Sequence, residues 1–171
     1  EAHLGLELPS GVVRGQEIAQ GGAADTCGGP DEHLGGAVLA QDLGLAREDV
    51  VRSSEAYVSQ YIDHTVVRAV GMGILLCSRQ NLPQDGAVPW VMHGCLDGAT
   101  GFLTDGTQLY GLDYRATNVP VALGRPTLPN RVYQYELAHP TLQSRSVPLR
   151  PGESGRITFF AAFEADHPAA T

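Results

Sequence analysis

Lysine is missing altogether: all 11 cationic side chains are arginine. That excludes a Walker-type phosphate loop, a pyridoxal Schiff base and any lysine nucleophile or base, because each needs the ε-amine. Arginine-only usage is also what a GC-rich coding sequence produces. Charge of either sign is scarce, at 18% of residues against the usual ~25%. What there is leans acidic, with 19 carboxylates and a formal charge of −8. A field of that sign repels phosphate backbones and anionic membrane surfaces, so no nucleic-acid partner is expected. No run of about 20 apolar residues exists to span a membrane, and no basic segment leading into an apolar one marks a signal peptide. The three cysteines, Cys27, Cys77 and Cys95, form no CxxC pair and leave an odd count. A disulfide framework is therefore not expected, and a reducing, cytoplasmic compartment is. The chain opens at Glu1 and its first methionine is Met72, which leads us to expect a piece of something longer.

What is present fits one domain: 171 residues, 43% of them hydrophobic, with 21 glycines and 11 prolines. That is long enough for a real core and reads as compact and turn-rich rather than disordered. From residue 50 onward, short apolar or alternating runs are punctuated by turn signals. Arg156–Glu164 alternates, with Ile157, Phe159, Ala161 and Phe163 on one face. Leu142–Leu149 precedes it across Arg150-Pro151-Gly152-Glu153, so the two runs predict a hairpin. Val132–Ala138 would place Tyr133, Tyr135 and Leu137 opposite Gln134 and Glu136. Gly73–Ser78 is an unbroken apolar run of strand length, expected to be buried on both faces. Asp85-Gly86, Asp97-Gly98 and Asp105-Gly106 mark turns at spacings that suit an all-β sandwich or barrel. Residues 37–64 are ambiguous. Ala56, Val58, Gln60 and Ile62 alternate with Tyr57, Ser59, Tyr61 and Asp63 as in a strand. Val50, Ser54, Tyr57, Val58 and Tyr61 would line one side of a helix, but the β-branched and aromatic content favours strand. Residues 1–36 are less regular: Leu4–Leu8 and Gly11–Arg14 could be strands, followed by a glycine-rich loop over Gln20–Pro30.

Chemistry-bearing patterns are few. His93-Gly94-Cys95 with Cys77 on a neighbouring strand could hold a metal, but buried thiols and a hydrogen-bonded histidine explain it as well, and no metal or cofactor is expected. There is no Gly-x-Ser-x-Gly elbow. Cys77 lies in the most apolar run, where burial raises a thiol pKa and makes it inert. Gly71-Met72-Gly73 lacks the rest of a dinucleotide fingerprint and reads as a turn. Asp97 and Asp105 could be paired carboxylates, yet both precede glycine, the ordinary context of a turn aspartate. Asp63-His64 would point to opposite faces of a strand. Arg79, Gln80, Asn81 and Gln84 form a run of long hydrogen-bonding side chains, followed by the one tryptophan, Trp90, then His93 and Gln108. Planar polar groups for hydroxyls and an aromatic face for a sugar ring are the parts of a carbohydrate site. The same residues could as well be core and loop caps.

Taken together, Gln41–Ala46, Glu55–His64, Ser78–Leu82, His93–Gly98, Thr104–Gly106, Tyr133–Glu136 and the closing Phe159-Phe160 to Asp166-His167-Pro168 resemble the N-terminal β-sandwich region of glycoside phosphorylases in glycoside hydrolase family 94. The resemblance is to the branch near 1,2-β-oligoglucan phosphorylase and the cyclic β-1,2-glucan synthases, and it runs from about residue 37 to 171. It implies an antiparallel β-sandwich, a partial supersandwich, placed ahead of a helical linker and a helical barrel. In such enzymes phosphate attacks a β-glucosidic bond with inversion, and the general acid lies on the barrel. No motif here matches that acid, so no catalytic residue carries over. By the same resemblance Arg79, Gln80, Asn81, Trp90, His93 and Gln108 become candidates for carbohydrate or interdomain contact. The implied partners are a β-glucan oligosaccharide, the helical-barrel domain and a second copy in a homodimer.

The expectation is therefore a single all-β sandwich over residues 1–171, a module of a glycoside phosphorylase or glycosyltransferase without turnover of its own. Two alternatives stand beside it. One is a free-standing lectin-like domain. The other is a mutarotase-like epimerase, which would need His64, His93 and Glu136 to converge in a cleft. A sandwich that packs on a barrel should also leave an apolar patch larger than the few hundred Å² usual on a monomer.

Overall fold

The computed structural model describes residues 13–18, 33–134, 137–150 and 154–171. Ten strands run in the order β1 (Val13–Ile18), β2 (His33–Gly35), β3 (Val38–Leu43), β4 (Ile62–Ala69), β5 (Gly73–Gln80), β6 (Trp90–Cys95), β7 (Ala99–Asp105), β8 (Ala138–Ser144), β9 (Val147–Leu149) and β10 (Phe159–Glu164). Helix α1 (Glu48–Gln60) follows β3, and α2 (Gly106–Tyr110), α3 (Tyr114–Thr117) and a 3-10 turn (Val121–Gly124) follow β7. The fold is all-β, as expected. Eight strands form one curled sheet in the order β1-β3-β8-β7-β5-β6-β10, with β4 also paired to β5, while β2 and β9 pair separately.

The curl makes two antiparallel half-sheets, β1-β3-β8-β7 and β4-β5-β6-β10, stacked face to face. Among the described residues, the strand pairing that joins them is the parallel one of Gly73 with Ala99. A Cβ on Gly73 would sit 2.2 Å from the Ala99 carbonyl oxygen, and its φ of 72° lies in the left-handed region, so glycine alone lets the halves meet here. The two inner faces close the core. Ile74, Leu76 and Cys95 from one half pack with Phe102 and Leu142 from the other, and Leu43 and Ala138 pack with Ile62 and Val91. The unbroken apolar run became β5, buried along most of its length. A third cluster, Ala40, Leu103, Leu109, Ala122 and Leu128, fills the outer face of β3-β8-β7 beneath α2 and the 3-10 turn.

The alternation leading into β10 matches the structure: Ile157, just before the strand, and Phe159 reach one core cluster, Ala161 and Phe163 another. Its predicted partner does not. β10 pairs antiparallel with β6, Phe159 opposite Cys95 through Glu164 opposite Trp90, whereas β8 lies between β3 and β7 and β9 pairs with β2. Residues 151–153 of the expected turn lie outside the described residues. A local turn signal selects a hairpin only if the following strand finds its burial next door; here the free edge of β6 takes β10 instead.

The strand preference for residues 56–60 is also corrected, since they complete α1. Two acidic residues in its first turn, Glu48 and Asp49, suit the helix dipole, and Arg52 pairs with Glu48 one turn earlier at 2.5 Å. Ser54 interrupts the helix with φ −158°, so α1 is two short turns lying on the surface, with Val58 and Ser59 buried. Such a connection is decided by local charge pairs and anchoring, and the β-branched content is a weak counterweight.

Asp85 and Gly86, both at positive φ, make a tight turn closed by mutual bonds between Gln84 and Ala87 at 2.7 and 3.0 Å. Gly98 turns the chain from β6 into β7, and Gly71 and Gly73 turn β4 into β5. Asp105-Gly106 is not a turn: Asp105 ends β7 and caps α2 through the amides of Thr107 (2.8 Å) and Gln108 (3.3 Å). The strand expected over Val132–Ala138 is replaced, in its described part, by an extended segment held through side chains. Thr104 Oγ1 accepts from Tyr133 N at 2.8 Å, and the Gln134 amide bonds both backbone groups of His64 at 2.8 Å. Tyr135 and Glu136, the expected strands Leu4–Leu8 and Gly11–Arg14 except for Val13 and Arg14, which begin β1, the loop Gln20–Pro30 and Cys27 all fall outside the described residues.

Candidate carbohydrate-contact site

The structure does not gather the six candidate residues into one place. Gln80 is buried, its Nε2 within 3.4 Å of the Leu45 and Val58 carbonyls and its Oε1 accepting from Leu82 N at 3.1 Å. It ties β5 to α1 and the β3–α1 loop. His93 is 1% exposed and sits between the half-sheets, with Nε2 2.5 Å from Gln41 Oε1. Burial, reinforced by neighbouring His64, lowers its pKa to about 4, so it is neutral at pH 7. Gln108 lies on α2 and is spent on Thr104 N (3.2 Å) and the Arg131 carbonyl (3.5 Å). Asn81 is exposed just beyond β5, where its backbone N–H donates to the Tyr61 carbonyl at 2.6 Å.

Arg79 and Trp90 are the two that meet. They oppose each other across β5 and β6, and residues 165–171 run over both. Arg79 pairs with Asp63 at 3.1 Å and donates to the Pro168 carbonyl. The Trp90 ring stacks on His167 with centroids 4.7 Å apart and planes at 21°, and its Nε1 donates to the Ala170 carbonyl at 3.3 Å. Trp90 is thus 7% exposed, and its face is occupied by this chain's own imidazole. An aromatic residue followed by a distant histidine carries no stacking signal in sequence; only the path of the tail brings them together.

An epimerase-like cleft does not form from His64 and His93. His64 is 4% exposed, its Nδ1 lies 2.9 Å from Ser78 Oγ, and burial lowers its pKa to about 4. Both imidazoles face inward, away from any solute at the surface. As anticipated, Asp63 and His64 point to opposite faces of β4, one toward Arg79 and the other into the core. The metal reading of His93, Cys95 and Cys77 finds no support: among the described residues no group of three or more ligating side chains converges. Cys77 and Cys95 are free, buried thiols, and burial raises both pKa values. Asp97 accepts from Thr158 N at 2.6 Å and Asp105 is a buried cap, so neither carboxylate is placed for acid–base work. No described helix is long and apolar enough to cross a membrane.

Polar side chains do line one opening. A cleft of about 320 Å³ lies between the β3–α1 loop and the Gln84–Ala87 turn, and its lining includes Leu45, Arg47, Gln84, Asp85, Pro89 and Phe163. Of the polar run singled out in the sequence, only Gln84 reaches it. Arg47 and Asp85 were missed because nothing local distinguishes them from any surface ion pair.

Residues 32–161 match the family model described as the SOGP N-terminal domain. The chain is also 45% identical over 107 residues to a 1,2-beta-oligoglucan phosphorylase of Listeria innocua serovar 6a (strain ATCC BAA-680 / CLIP 11262). The match covers 63% of this chain and 10% of that relative, so it spans about a tenth of the relative's length.

Proposed function

The chain belongs to the SOGP N-terminal domain family, and from that premise we propose that it serves as a non-catalytic β-sandwich module of a β-glucan phosphorylase or cyclic glucan synthase-like enzyme. Its role is to support substrate binding and dimerisation, while a helical-barrel domain of the parent carries inverting phosphorolysis or transfer of β-glucosyl units. The observation that carries the reading is the fate of the titratable side chains. His64, His93 and Asp105, three of the acid–base residues that the sequence brings forward, are committed to internal bonds. With general acid and base needing reach to a substrate proton, this sandwich has scaffolding to offer rather than chemistry.

The 106–137 excursion supports a packing role. Leu112, Val119, Val121, Tyr133 and Leu137 are all exposed large apolar side chains, and Gly111, next to Leu112 in the chain, lies against Val121. Apolar side chains so exposed are what a neighbouring domain would cover. The purified chain, given β-1,2-linked glucooligosaccharide and inorganic phosphate, is expected to form no glucose 1-phosphate, and turnover by the chain alone would overturn the reading. Sedimentation equilibrium tests the dimer: a monomer at all concentrations removes that part.

A further inference from the structure

We propose that the cleft between the β3–α1 loop and the Gln84–Ala87 turn is a binding subsite for a neutral saccharide unit, an inference that rests on the glucan-enzyme reading above. Its volume of about 320 Å³ falls at the small end of the range for ligand pockets, about 300–1,000 Å³, which suits a one- or two-ring sugar. Phe163 and Pro89 offer an apolar surface to the C–H face of a ring. Phe163 is held in place because it packs on the cluster of Leu43, Leu45, Ile62 and Val91.

The charges select against ionic ligands. Arg47 already faces two carboxylates, Asp49 at 2.6 Å and Asp85 at 3.5 Å, so the mouth of the cleft is net negative and a phosphate would meet repulsion. A cation would have to displace Arg47 from Asp85. A polyol needs neither change: its hydroxyls donate to Asp85 and accept from the Arg47 guanidinium, whose planar fork suits vicinal oxygens. Gln84 spends its Nε2 on the Leu82 carbonyl at 2.8 Å, which leaves its own carbonyl oxygen as a further acceptor. The turn carrying Gln84 and Asp85 is closed by two backbone bonds, so little ordering is lost when a ligand arrives.

Titration of the 171-residue chain with β-1,2-linked glucobiose, followed by amide NMR, tests this. Saturable shifts are expected at amides of residues 44–47 and 84–87, with Arg47→Ala and Asp85→Ala each weakening the apparent affinity about tenfold. Both side chains are largely exposed, so the variants should keep the parent spectrum elsewhere. Absence of saturable shifts, shifts confined to other regions, or unchanged affinity in both variants would overturn the proposal. Inorganic phosphate producing the same shifts would overturn the neutral-ligand assignment. The non-catalytic part of the reading above is tested separately and fails if the chain alone turns over substrate.

Discussion

Between the half-sheets, His64 bonds Ser78 and His93 bonds Gln41, all four side chains being nearly sealed from water. At the rim, Arg47, Gln84 and Asp85 have comparable hydrogen-bonding capacity and face the cleft. The interior groups are structural because desolvation made each of them dependent on its partner. The rim groups Arg47 and Asp85 stay largely exposed, so a partner can be exchanged there without stranding a buried polar group. Residue type is the same currency in both regions, and burial alone decides how it is used.

Acid should break this contrast most severely. His64 and His93 have pKa values near 4 when folded, against about 6.5 in an unfolded chain. Below pH 6.5 the unfolded chain takes up protons that the folded chain refuses. The stability these residues contribute is therefore whole above pH 6.5, falls progressively to about pH 4, and changes no further beneath it. Urea midpoints measured from pH 7 to pH 4 should drop by several kcal/mol in stability, with a shallower slope in His93→Gln. An unchanged midpoint would mean the imidazoles are accessible after all. His93→Ala at neutral pH should cost about 3 kcal/mol, since it opens a cavity and strands the Gln41 carbonyl, as chemical denaturation would read. Asp105→Ala should cost about 2 kcal/mol, because Asp105 caps α2 and also accepts from Leu137 N at 2.9 Å; faster amide exchange at Thr107 and Gln108 would localise the loss. At the rim, Arg47→Ala should leave stability within about 0.5 kcal/mol, checked by its thermal midpoint, and change sugar affinity only. A large destabilisation there would erase the distinction.

How much of this could be read in advance differed by region. The inward row Ile157, Phe159, Ala161 and Phe163 was legible because period-two burial is written into consecutive residues. So was β5, whose apolar run is long enough for a strand and too short for anything else. The partner of β10 was not, because edge availability on β6 depends on where the other strands have gone. Residues 56–60 misled because a helix with two buried residues shows almost no periodicity. Of the candidate contacts, Gln80 and His93 were chosen for chemistry, and packing turned that chemistry inward.

What the sequence alone determined was the all-β class, the buried thiol of Cys77, and the turns at Gly71, Asp85 and Gly98. These follow from side-chain type and spacing over a few residues, which act before any distant contact forms. Tertiary structure decided which strand edges pair, which polar groups are desolvated, and that Arg47, Gln84, Asp85 and Phe163 share one cleft. Those outcomes depend on long-range pairings, such as Gly73 with Ala99 and β10 with β6, that no local pattern encodes.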